Sequence, residues 1–380
     1  MKDIKMFFYY IYVKNFILKF FRILFITVII FFFLDFVIGN YIYKKILRKN
    51  YFDIDTNMGE KSDIYHHGLK KNYKTDRAGW GKKRFSFCTD NHGFRNNCNS
   101  VDTNKYFDIG IIGDSFTAGH GLTYEELYST IIQNSLTKKK IANLSSASYS
   151  PAIYFAKINY LINNGYKFDE IIVFLDLSDL QDDVVRYELD GNVVKDKNNS
   201  SWTPINYSKF EKFGQFISRK FKVTYYLSII IEEHLIKKKL ITKKIPNWVL
   251  NSPRSSWTYA YDKKWFDEKP LEESTSIILK NMDLLSKLLK SKNINLSIAV
   301  YPWPSTLFYD NAENIYVNLW KNFCKTKCIK FYNLMEPFFD LKQKMSVKDI
   351  YFKYYIDGDV HFNENGSKFL AENFLIQYNN

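Results

Sequence analysis

Residues 109–117 read Ile-Gly-Ile-Ile-Gly-Asp-Ser-Phe-Thr, and this stretch decides the fold. The apolar run 109–112 predicts a buried strand, and the Gly113-Asp114 step predicts a turn into a helix. A serine placed there is exposed at the carboxyl end of the strand. Its own N–H and the dipole of the helix face any oxyanion that forms beside it. Ser115 is therefore a candidate nucleophile.

Short apolar runs alternate with helical stretches along the rest of the chain. The predicted strands cover residues 109–113, 141–144, 171–175, 296–301 and 329–334. The predicted helices cover residues 124–136, 151–163, 276–291 and 365–378. Such alternation is typical of an α/β fold, in which helices cover both faces of a parallel sheet and sites form at the carboxyl ends of the strands.

The Gly-Asp-Ser-Phe sequence at 113–116, directly behind a strand, resembles block I of the SGNH, or GDSL-type, hydrolases. The resemblance extends over about residues 105–378, with the motifs in the family's order. It implies a three-layer α/β/α fold with a five-stranded parallel sheet. It also implies that Ser115 is the nucleophile.

A second motif, Asp-Gly-Asp-Val-His, begins at Asp357 near the C-terminus. A weakly nucleophilic hydroxyl needs a base within hydrogen-bond reach, and a carboxylate must orient the imidazole of that base. The family resemblance implies that His361 is the base. In the commonest spacing of the family, the aspartate stands three residues before the histidine, where this chain has Gly358. The D-x-H version is similar to SGNH-like proteins of polysaccharide O-acetylation systems, so Asp359 is the predicted triad acid and Asp357 the reserve. An exposed acidic turn is the alternative interpretation.

The predicted oxyanion hole departs from the family pattern at two of its three positions. Besides the Ser115 N–H, block II offers a glycine N–H where this chain has Ser148. A serine keeps this donor but loses glycine's freedom at positive φ. Block III offers asparagine where the chain has Ser178, whose hydroxyl can donate over a shorter reach. Loss of one donor costs roughly 10²–10³ in rate. These changes are the best sequence argument for a non-catalytic protein.

Three further segments resemble membrane-anchored SGNH proteins of cell-surface glycan loci: Tyr65-His66-His67, residues 91–95 and residues 301–304. The other residues predicted to line the site are Asp114, His120, Asp179, Asp357, Tyr301 and Trp303. For the two aromatic residues, ordinary packing is the alternative. We see no histidine spacing that indicates a metal site, and the implied chemistry needs no cofactor.

An apolar helix is predicted near the N-terminus. Residues 23–34 are apolar except for Thr27, and apolar residues flank them at 16–21 and 36–38. Basic side chains near the start can reach the headgroups, so the stretch attains the roughly 20 residues that a membrane helix needs. Basic residues before it favour a cytoplasmic N-terminus and an extracytoplasmic main domain, periplasmic in a cell with an outer membrane. We expect an uncleaved anchor; a cleaved signal peptide and a buried helix are the alternatives.

The four cysteines form two close pairs, Cys88 with Cys98 and Cys324 with Cys328. Two small disulfide loops in an oxidising compartment suit this spacing; a zinc site or free thiols are the alternatives. The net charge of +14 suits anionic lipid, an acidic glycan or nucleic acid, or it reflects only solvated lysines. No nucleic-acid-binding motif is present in the sequence, so we set that partner aside.

The sequence divides into three predicted segments. Residues 1–40 are the N-terminus and anchor, 41–104 an irregular linker with one cysteine pair, and 105–380 the SGNH-type domain. Within that domain, residues 183–270 are predicted to be an aromatic-rich, mostly helical insertion. Its tryptophans are Trp202, Trp248, Trp257 and Trp265. We expect them to pack the insertion onto the domain; a lid or stacking on sugar rings is the alternative.

Together these features predict a membrane-anchored serine esterase that acts on O-acyl groups, with acetyl expected, of a cell-envelope polysaccharide. One alternative is an O-acyltransferase that moves an acyl group onto a surface glycan, with a membrane protein as acyl donor. The other is a catalytically silent SGNH scaffold that binds or assembles glycan.

Overall fold

The computed structural model describes residues 2–43, 54–80, 83–100, 103–197, 209–238 and 240–379. The chain forms two compact units. The helical unit consists of Met1–Asp53 with Asn206–Lys244, and the sheet unit consists of Ile54–Ile205 with Ile245–Asn380. The candidate nucleophile and the candidate base both lie in the sheet unit.

The sheet unit contains the predicted five-stranded parallel sheet. Its strands are β1 (Tyr106–Gly113), β2 (Ile141–Asn143), β3 (Lys167–Leu175), β4 (Asn295–Val300) and β5 (Lys330–Asn333). Their spatial order is β2-β1-β3-β4-β5, and every neighbouring pair is parallel. Every side chain from Ile171 to Leu175 in β3 is fully buried. The central strands are continuously apolar because helices cover them on both faces.

The longer helices of the sheet unit are Tyr128–Ser135, Pro151–Asn163, Leu271–Ser291, Ile315–Lys327 and Glu364–Asn379. The shorter ones include Ser115–Ala118, Asp179–Gln181, Asn247–Leu250, Pro253–Ser256, Pro304–Tyr309, Met335–Asp340 and Val347–Tyr354. From β1 the chain moves outward to β2 and then back across the sheet to β3. Right-handed crossovers therefore place the helices before and after β2 on opposite faces. The packing agrees, because Pro151–Asn163 packs against Leu271–Ser291, and Tyr128–Ser135 packs against the C-terminal helix.

This strand order places a site at the junction of β1 and β3. The connections leave these two adjacent strands in opposite directions, which opens a crevice at their carboxyl ends. Gly113 at the end of β1 pairs with Phe174 near the end of β3. Ser115 and Asp176 follow these two strand ends directly.

Residues 59–88 form two antiparallel hairpins, where the sequence analysis expects an irregular linker. Gly59–Ser62 pairs with His66–Leu69, and Lys74–Trp80 pairs with Lys83–Cys88. Strands as polar as Gly-Glu-Lys-Ser lack the apolar alternation that identifies a strand in sequence. The hairpins enclose a small second core of Leu69, Ala78, Phe85 and Phe87.

Arg95 connects this hairpin segment to the parallel sheet. Its backbone N–H donates to the carbonyl oxygen of Asn143, at the end of β2, over 3.2 Å. Its guanidinium donates to the carbonyl oxygens of Ser86, Cys88 and Leu122 and is buried with the side chain. The segment therefore belongs to the sheet unit. The structure also joins the two expected cysteine pairs, Cys88–Cys98 and Cys324–Cys328, as disulfides.

The segment 183–270 is not one insertion. Tyr187–Asp190 and Val193–Asp196 form a hairpin of the sheet unit, and residues from Ile245 onward also belong to that unit. Only Asn206–Lys244 belongs to the helical unit. The described part of Asn206–Lys244 contains two helices, Lys209–Lys220 and Lys222–Lys237.

The tryptophans of this segment that the structure describes pack against the core. Trp257 is buried, and its indole N–H donates to the carbonyl oxygen of Leu177 over 2.8 Å. Trp248 and Trp265 are partly buried against the same core. Trp202 lies outside the described residues. Packing, the favoured interpretation, fits all three described side chains.

The helical unit contains the predicted apolar helix. Lys2–Leu34 continues through a π-helical turn, Asp35–Gly39, into Asn40–Ile42. In the part of the chain that the structure describes, Tyr12–Ile42 is the one helix long and apolar enough to cross a membrane, with 31 residues. Its large apolar side chains from Phe16 to Ile38 are exposed.

Asp35 is a buried polar residue on this largely exposed apolar helix. Its Oδ1 accepts from the Val223 N–H over 2.9 Å, and its Oδ2 accepts from the Thr224 N–H over 2.8 Å and the Thr224 hydroxyl over 2.6 Å. Both N–H groups lie in the first turn of Lys222–Lys237, where they have no partner within the helix. The carboxylate therefore caps that helix and fixes it to the apolar helix.

Asp35→Ala should release the start of Lys222–Lys237, because three donors lose their acceptor at once. We expect trypsin to cleave the full-length chain in detergent micelles faster at Lys220 and Lys222 than in the wild type. Glu232→Ala, which removes an exposed carboxylate from the same helix, is the control. Equal cleavage rates in the wild type and Asp35→Ala would contradict the capping role.

Candidate active site

Three side chains predicted to act together lie within hydrogen-bond reach in the sheet unit. Ser115 Oγ is 2.8 Å from His361 Nε2, and His361 Nδ1 is 2.5 Å from Asp359 Oδ1. The carboxylate can hold the proton on Nδ1, which leaves Nε2 free to accept the serine proton. This arrangement is able to generate a nucleophilic serine.

Gly113 and Asp114 position the nucleophile. A Cβ atom on Gly113 would lie 2.1 Å from Thr117 Oγ1 and 2.7 Å from the Phe174 carbonyl oxygen, so only glycine fits this turn. Asp114 Oδ1 accepts from the Phe116 N–H over 2.9 Å and caps the four-residue helix Ser115–Ala118. The sharp turn leaves Ser115 half-buried at the strand end.

The loop before the C-terminal helix positions the base and the acid. The Tyr351 hydroxyl accepts from the N–H groups of Gly358 and Asp359 over 2.8 and 3.1 Å. Asp359 Oδ1 also accepts from the His361 N–H over 3.0 Å, so the acid is fixed to both the ring and the backbone of the base. Asp357, the reserve candidate, is exposed at the surface of this loop. The geometry favours Asp359.

The ion pair shifts the pKa of both partners. Burial works against ionisation of Asp359, but the charge of His361 and its hydrogen bonds prevail and lower the Asp359 pKa to about 2. Burial would lower the pKa of His361, and the nearby Asp359 carboxylate more than offsets this, so the His361 pKa is raised. The imidazolium form, which must exist during proton transfer, is therefore stabilised.

The rings of Phe116 and Trp80 pack against the base, with 4.4 Å between the centroids of Phe116 and His361. The Trp80 ring lies edge-on to His361 with 4.9 Å between centroids, and edge-on to His120 at 4.7 Å. His120 is buried, and its backbone N–H donates to the Ser115 carbonyl oxygen over 3.1 Å. Burial lowers the pKa of His120 to about 3, so its ring is neutral. These residues form a wall of the site and hold no charge there.

Buried carboxylates lie behind the nucleophile. Asp114, Asp176 and Asp179 are each at most 3% exposed. Burial, and next the charge of Asp176, raise the pKa of Asp114 to about 8, and burial raises that of Asp179 well above its usual range. Ser115 Oγ can donate to Asp114 Oδ2 over 3.2 Å or to His361 over 2.8 Å. A neutral Asp114 is the weaker acceptor, so the serine proton goes to the imidazole.

Tyr301 and Trp303 are buried beneath the site. Both therefore have the packing role that was the alternative to lining the site. The Trp303 indole N–H donates to Asp176 Oδ2 over 2.6 Å, and the Tyr301 hydroxyl approaches Asp114 Oδ1 at 3.4 Å. Asp179 also faces inward, where its Oδ2 accepts from the Tyr154 hydroxyl over 2.9 Å. None of these three predicted lining residues is exposed to a substrate.

Ser148 and Ser178, the two oxyanion-hole positions where this chain departs from the family pattern, differ in their surroundings. The Ser178 hydroxyl donates to Asp176 Oδ1 over 2.5 Å and the side chain is buried, so its single proton is already engaged. Ser178 therefore departs from the prediction. Ser148 has φ of 56°, the left-handed region that glycine occupies in the family pattern. Its backbone N–H and that of Ser115 have no hydrogen-bond partner among the described residues.

Two residues of the site, Trp80 and Asp176, were not predicted from the sequence. Asp176 directly follows β3, as Asp114 directly follows β1, and that position was a usable signal. Trp80 ends the strand Lys74–Trp80, which has no apolar alternation, and nothing in the sequence places it at the site. Among the described residues, no group of three or more histidine, cysteine or acidic side chains could hold a metal ion.

Replacing the acid should affect both rate and pH profile. We expect Asp359→Asn to lower ester turnover by about 10³–10⁴-fold, because the imidazole loses its orienting carboxylate. The remaining activity should rise at lower pH than in the wild type, since the charge that raises the His361 pKa is gone. Asp357→Asn is the control and should retain the wild-type profile. If Asp359→Asn kept the wild-type rate and pH profile while Asp357→Asn lost activity, Asp357 would be the triad acid instead of Asp359.

In comparisons with known proteins, similarity to this chain was found only among solved structures. No protein-family model matches the chain, and no curated protein is significantly similar to it in sequence. A lipolytic protein of the G-D-S-L family from Veillonella parvula is 11% identical, with 71% of this chain and 97% of that one covered and a TM-score of 0.38. A catalytic mutant of the acetylxylan esterase Axe2 from Geobacillus stearothermophilus is 10% identical, with 73% and 95% covered and a TM-score of 0.38.

The psychrotrophic esterase EstA from Pseudoalteromonas is 11% identical, with 73% of this chain and 97% of that one covered and a TM-score of 0.33. At these TM-scores the assignment of residue roles rests on the side-chain geometry described above. In structure, as in its motifs, the chain is similar to members of the GDSL, or SGNH, lipolytic family.

Proposed function

We propose that this protein is a serine esterase that acts through an acyl-serine intermediate. The observation that carries the proposal is the continuous hydrogen-bonded series Ser115 Oγ, His361 Nε2, His361 Nδ1 and Asp359 Oδ1. The raised pKa of His361 and the lowered pKa of Asp359 suit an imidazole that gains and loses a proton during each turnover.

In the first half-reaction, His361 Nε2 takes the proton of Ser115 while Oγ forms a bond to the ester carbonyl carbon. The carbonyl oxygen becomes an oxyanion, and the unpartnered N–H groups of Ser115 and Ser148 are the proposed donors to it. The His361 imidazolium then protonates the leaving alcohol oxygen as the C–O bond breaks. The acyl group remains on Ser115.

In the second half-reaction, His361 Nε2 takes a proton from water, whose oxygen attacks the acyl carbon. The second tetrahedral intermediate collapses when the bond to Ser115 Oγ breaks and Oγ recovers the proton from the imidazolium. The products are a carboxylic acid, the alcohol and the original enzyme. These proton transfers use only side chains already in the site.

The proposed substrate is an O-acyl group, with acetyl preferred, on a cell-envelope polysaccharide. The apolar helix Tyr12–Ile42 supports a membrane anchor, and the two disulfides support an extracytoplasmic location for the sheet unit. The motifs that resemble SGNH proteins of glycan loci support the polysaccharide.

The transferase alternative differs from the esterase only in the second half-reaction, where a sugar hydroxyl replaces water. A membrane partner would then supply the acyl group. The non-catalytic scaffold has weaker support, because the serine, histidine and aspartate are intact and aligned. Its support is the engaged hydroxyl of Ser178, which leaves two proposed donors where the family pattern has three.

Turnover of p-nitrophenyl acetate by the full-length chain in detergent micelles should disappear in Ser115→Ala, to the level of the uncatalysed reaction, because no acyl-serine can form. Ser135→Ala, an exposed serine at the end of Tyr128–Ser135, is the matched control and should retain activity. Turnover that persists undiminished in Ser115→Ala would exclude Ser115 as the nucleophile.

A parallel reaction with an acetyl donor and a glycan acceptor separates the two catalytic proposals. Free acetate as the main product supports the esterase. Acetylated glycan as the main product supports the acyltransferase and would overturn the hydrolytic second step.

A further inference from the structure

Ser148 occupies a backbone conformation that disfavours every residue except glycine. At its φ of 56° the Cβ atom of a non-glycine residue lies close to the following carbonyl oxygen. Such a conformation persists only where surrounding contacts fix it. The contacts that fix Ser148 therefore indicate how this loop is held.

Both peptide groups that flank Ser148 are fixed through their carbonyl oxygens. His67 Nε2 is 2.7 Å from the carbonyl oxygen of Ala147, and the Tyr187 hydroxyl donates to the carbonyl oxygen of Ser148 over 2.9 Å. The Ala147 carbonyl and the Ser148 N–H belong to one peptide group. The described peptide bonds are all trans, so these two groups point in opposite directions. A hydrogen bond that fixes the Ala147 oxygen on one side of this peptide group therefore directs the Ser148 N–H to the opposite side.

The proton positions in this network follow from its acceptors. The Ala147 oxygen can only accept, so His67 Nε2 carries the proton. Burial lowers the pKa of His67 to about 4, so the ring is neutral and its Nδ1 must accept. The donor is His66 Nδ1, 2.7 Å away.

The second nitrogen of His66 faces a carboxylate. His66 Nε2 is 3.0 Å from Asp196 Oδ2, and Arg186 Nε lies 3.8 Å from the other oxygen of Asp196. The Asp196 carboxylate on one side and His67 on the other hold the His66 ring with its Nδ1 against Nδ1 of His67. The pair thereby sets the tautomer of His67 that can donate to Ala147.

We propose that His67, oriented by His66 and Asp196, is a positioning residue that directs the Ser148 N–H toward the oxyanion. The proposal rests on the esterase function proposed above. In a chain where serine replaces the family's glycine, the histidine pair holds a conformation that glycine adopts unaided. His67 touches neither the substrate nor Ser115 in this role and acts only through the Ala147–Ser148 peptide group.

The test compares two replacements of His67 in the full-length protein. His67→Phe fills a similar space without a donor and should lower kcat for p-nitrophenyl acetate by about 10²-fold, the loss of one oxyanion donor, with little change in KM. His67→Gln restores a donor near the Nε2 position and should recover most of that loss. His92→Phe is the matched control, because the His92 ring bonds the Tyr166 hydroxyl over 2.7 Å and not this loop.

Wild-type kcat in folded His67→Phe would overturn the proposal, as would an equal loss in His67→Gln. A crystal structure of His67→Phe provides a readout that does not depend on activity. We expect the Ala147–Ser148 peptide group to rotate and the φ of Ser148 to become negative. An unchanged peptide group would overturn the positioning role. If the wild type shows no Ser115-dependent turnover, the proposed function fails, and the peptide orientation alone decides this inference.

Discussion

The hydrogen bond between Ser115 Oγ and His361 Nε2 is the interaction on which the rest of the candidate site depends. It joins residues 246 positions apart in the sequence. Ser115 is brought to it by a turn at the end of β1 that tolerates no Cβ at Gly113, and His361 by a loop whose backbone is fixed to Tyr351. A small shift of either element would separate the two atoms, and the carboxylate of Asp359 would then orient a base with no proton to accept.

The environment of the site shifts the pKa values of its two nearest carboxyl groups, Asp359 and Asp114, in opposite directions. Asp359 is strongly ionised and stabilises the imidazolium, whereas Asp114 has its pKa raised to about 8 by burial and by Asp176. If both were charged at neutral pH, Asp114 would compete for the serine proton over only 3.2 Å. Trp303 and Ser178 donate hydrogen bonds to the buried Asp176, so the Ser178 hydroxyl is engaged there and is not an oxyanion donor.

The apolar runs were sufficient to predict the five parallel strands, because each strand depends on a local pattern. The grouping of Ser115, His361 and Asp359 was predicted from the resemblance of two motifs to a family, and the structure places these side chains within hydrogen-bond reach. Features that depend on the direction of a side chain or on contacts between distant segments were not predictable in this way. The hydroxyl of Ser178 is engaged by a carboxylate only two residues away, yet nothing in the sequence shows which way either side chain points. Trp80 ends the strand Lys74–Trp80, which has no apolar alternation, and so this strand was expected to be part of a linker.

Reaction of the full-length protein with a fluorophosphonate tests the central claim most directly, since the activated oxygen displaces fluoride and forms a stable bond to phosphorus. Intact mass and peptide mapping should show one adduct, on Ser115, in the wild type. The adduct should be absent from Ser115→Ala and should form far more slowly in His361→Ala, which lacks the base. A wild-type protein that stays unlabelled, or that carries its adduct on another residue, would contradict the account of Ser115 as a nucleophile activated by His361.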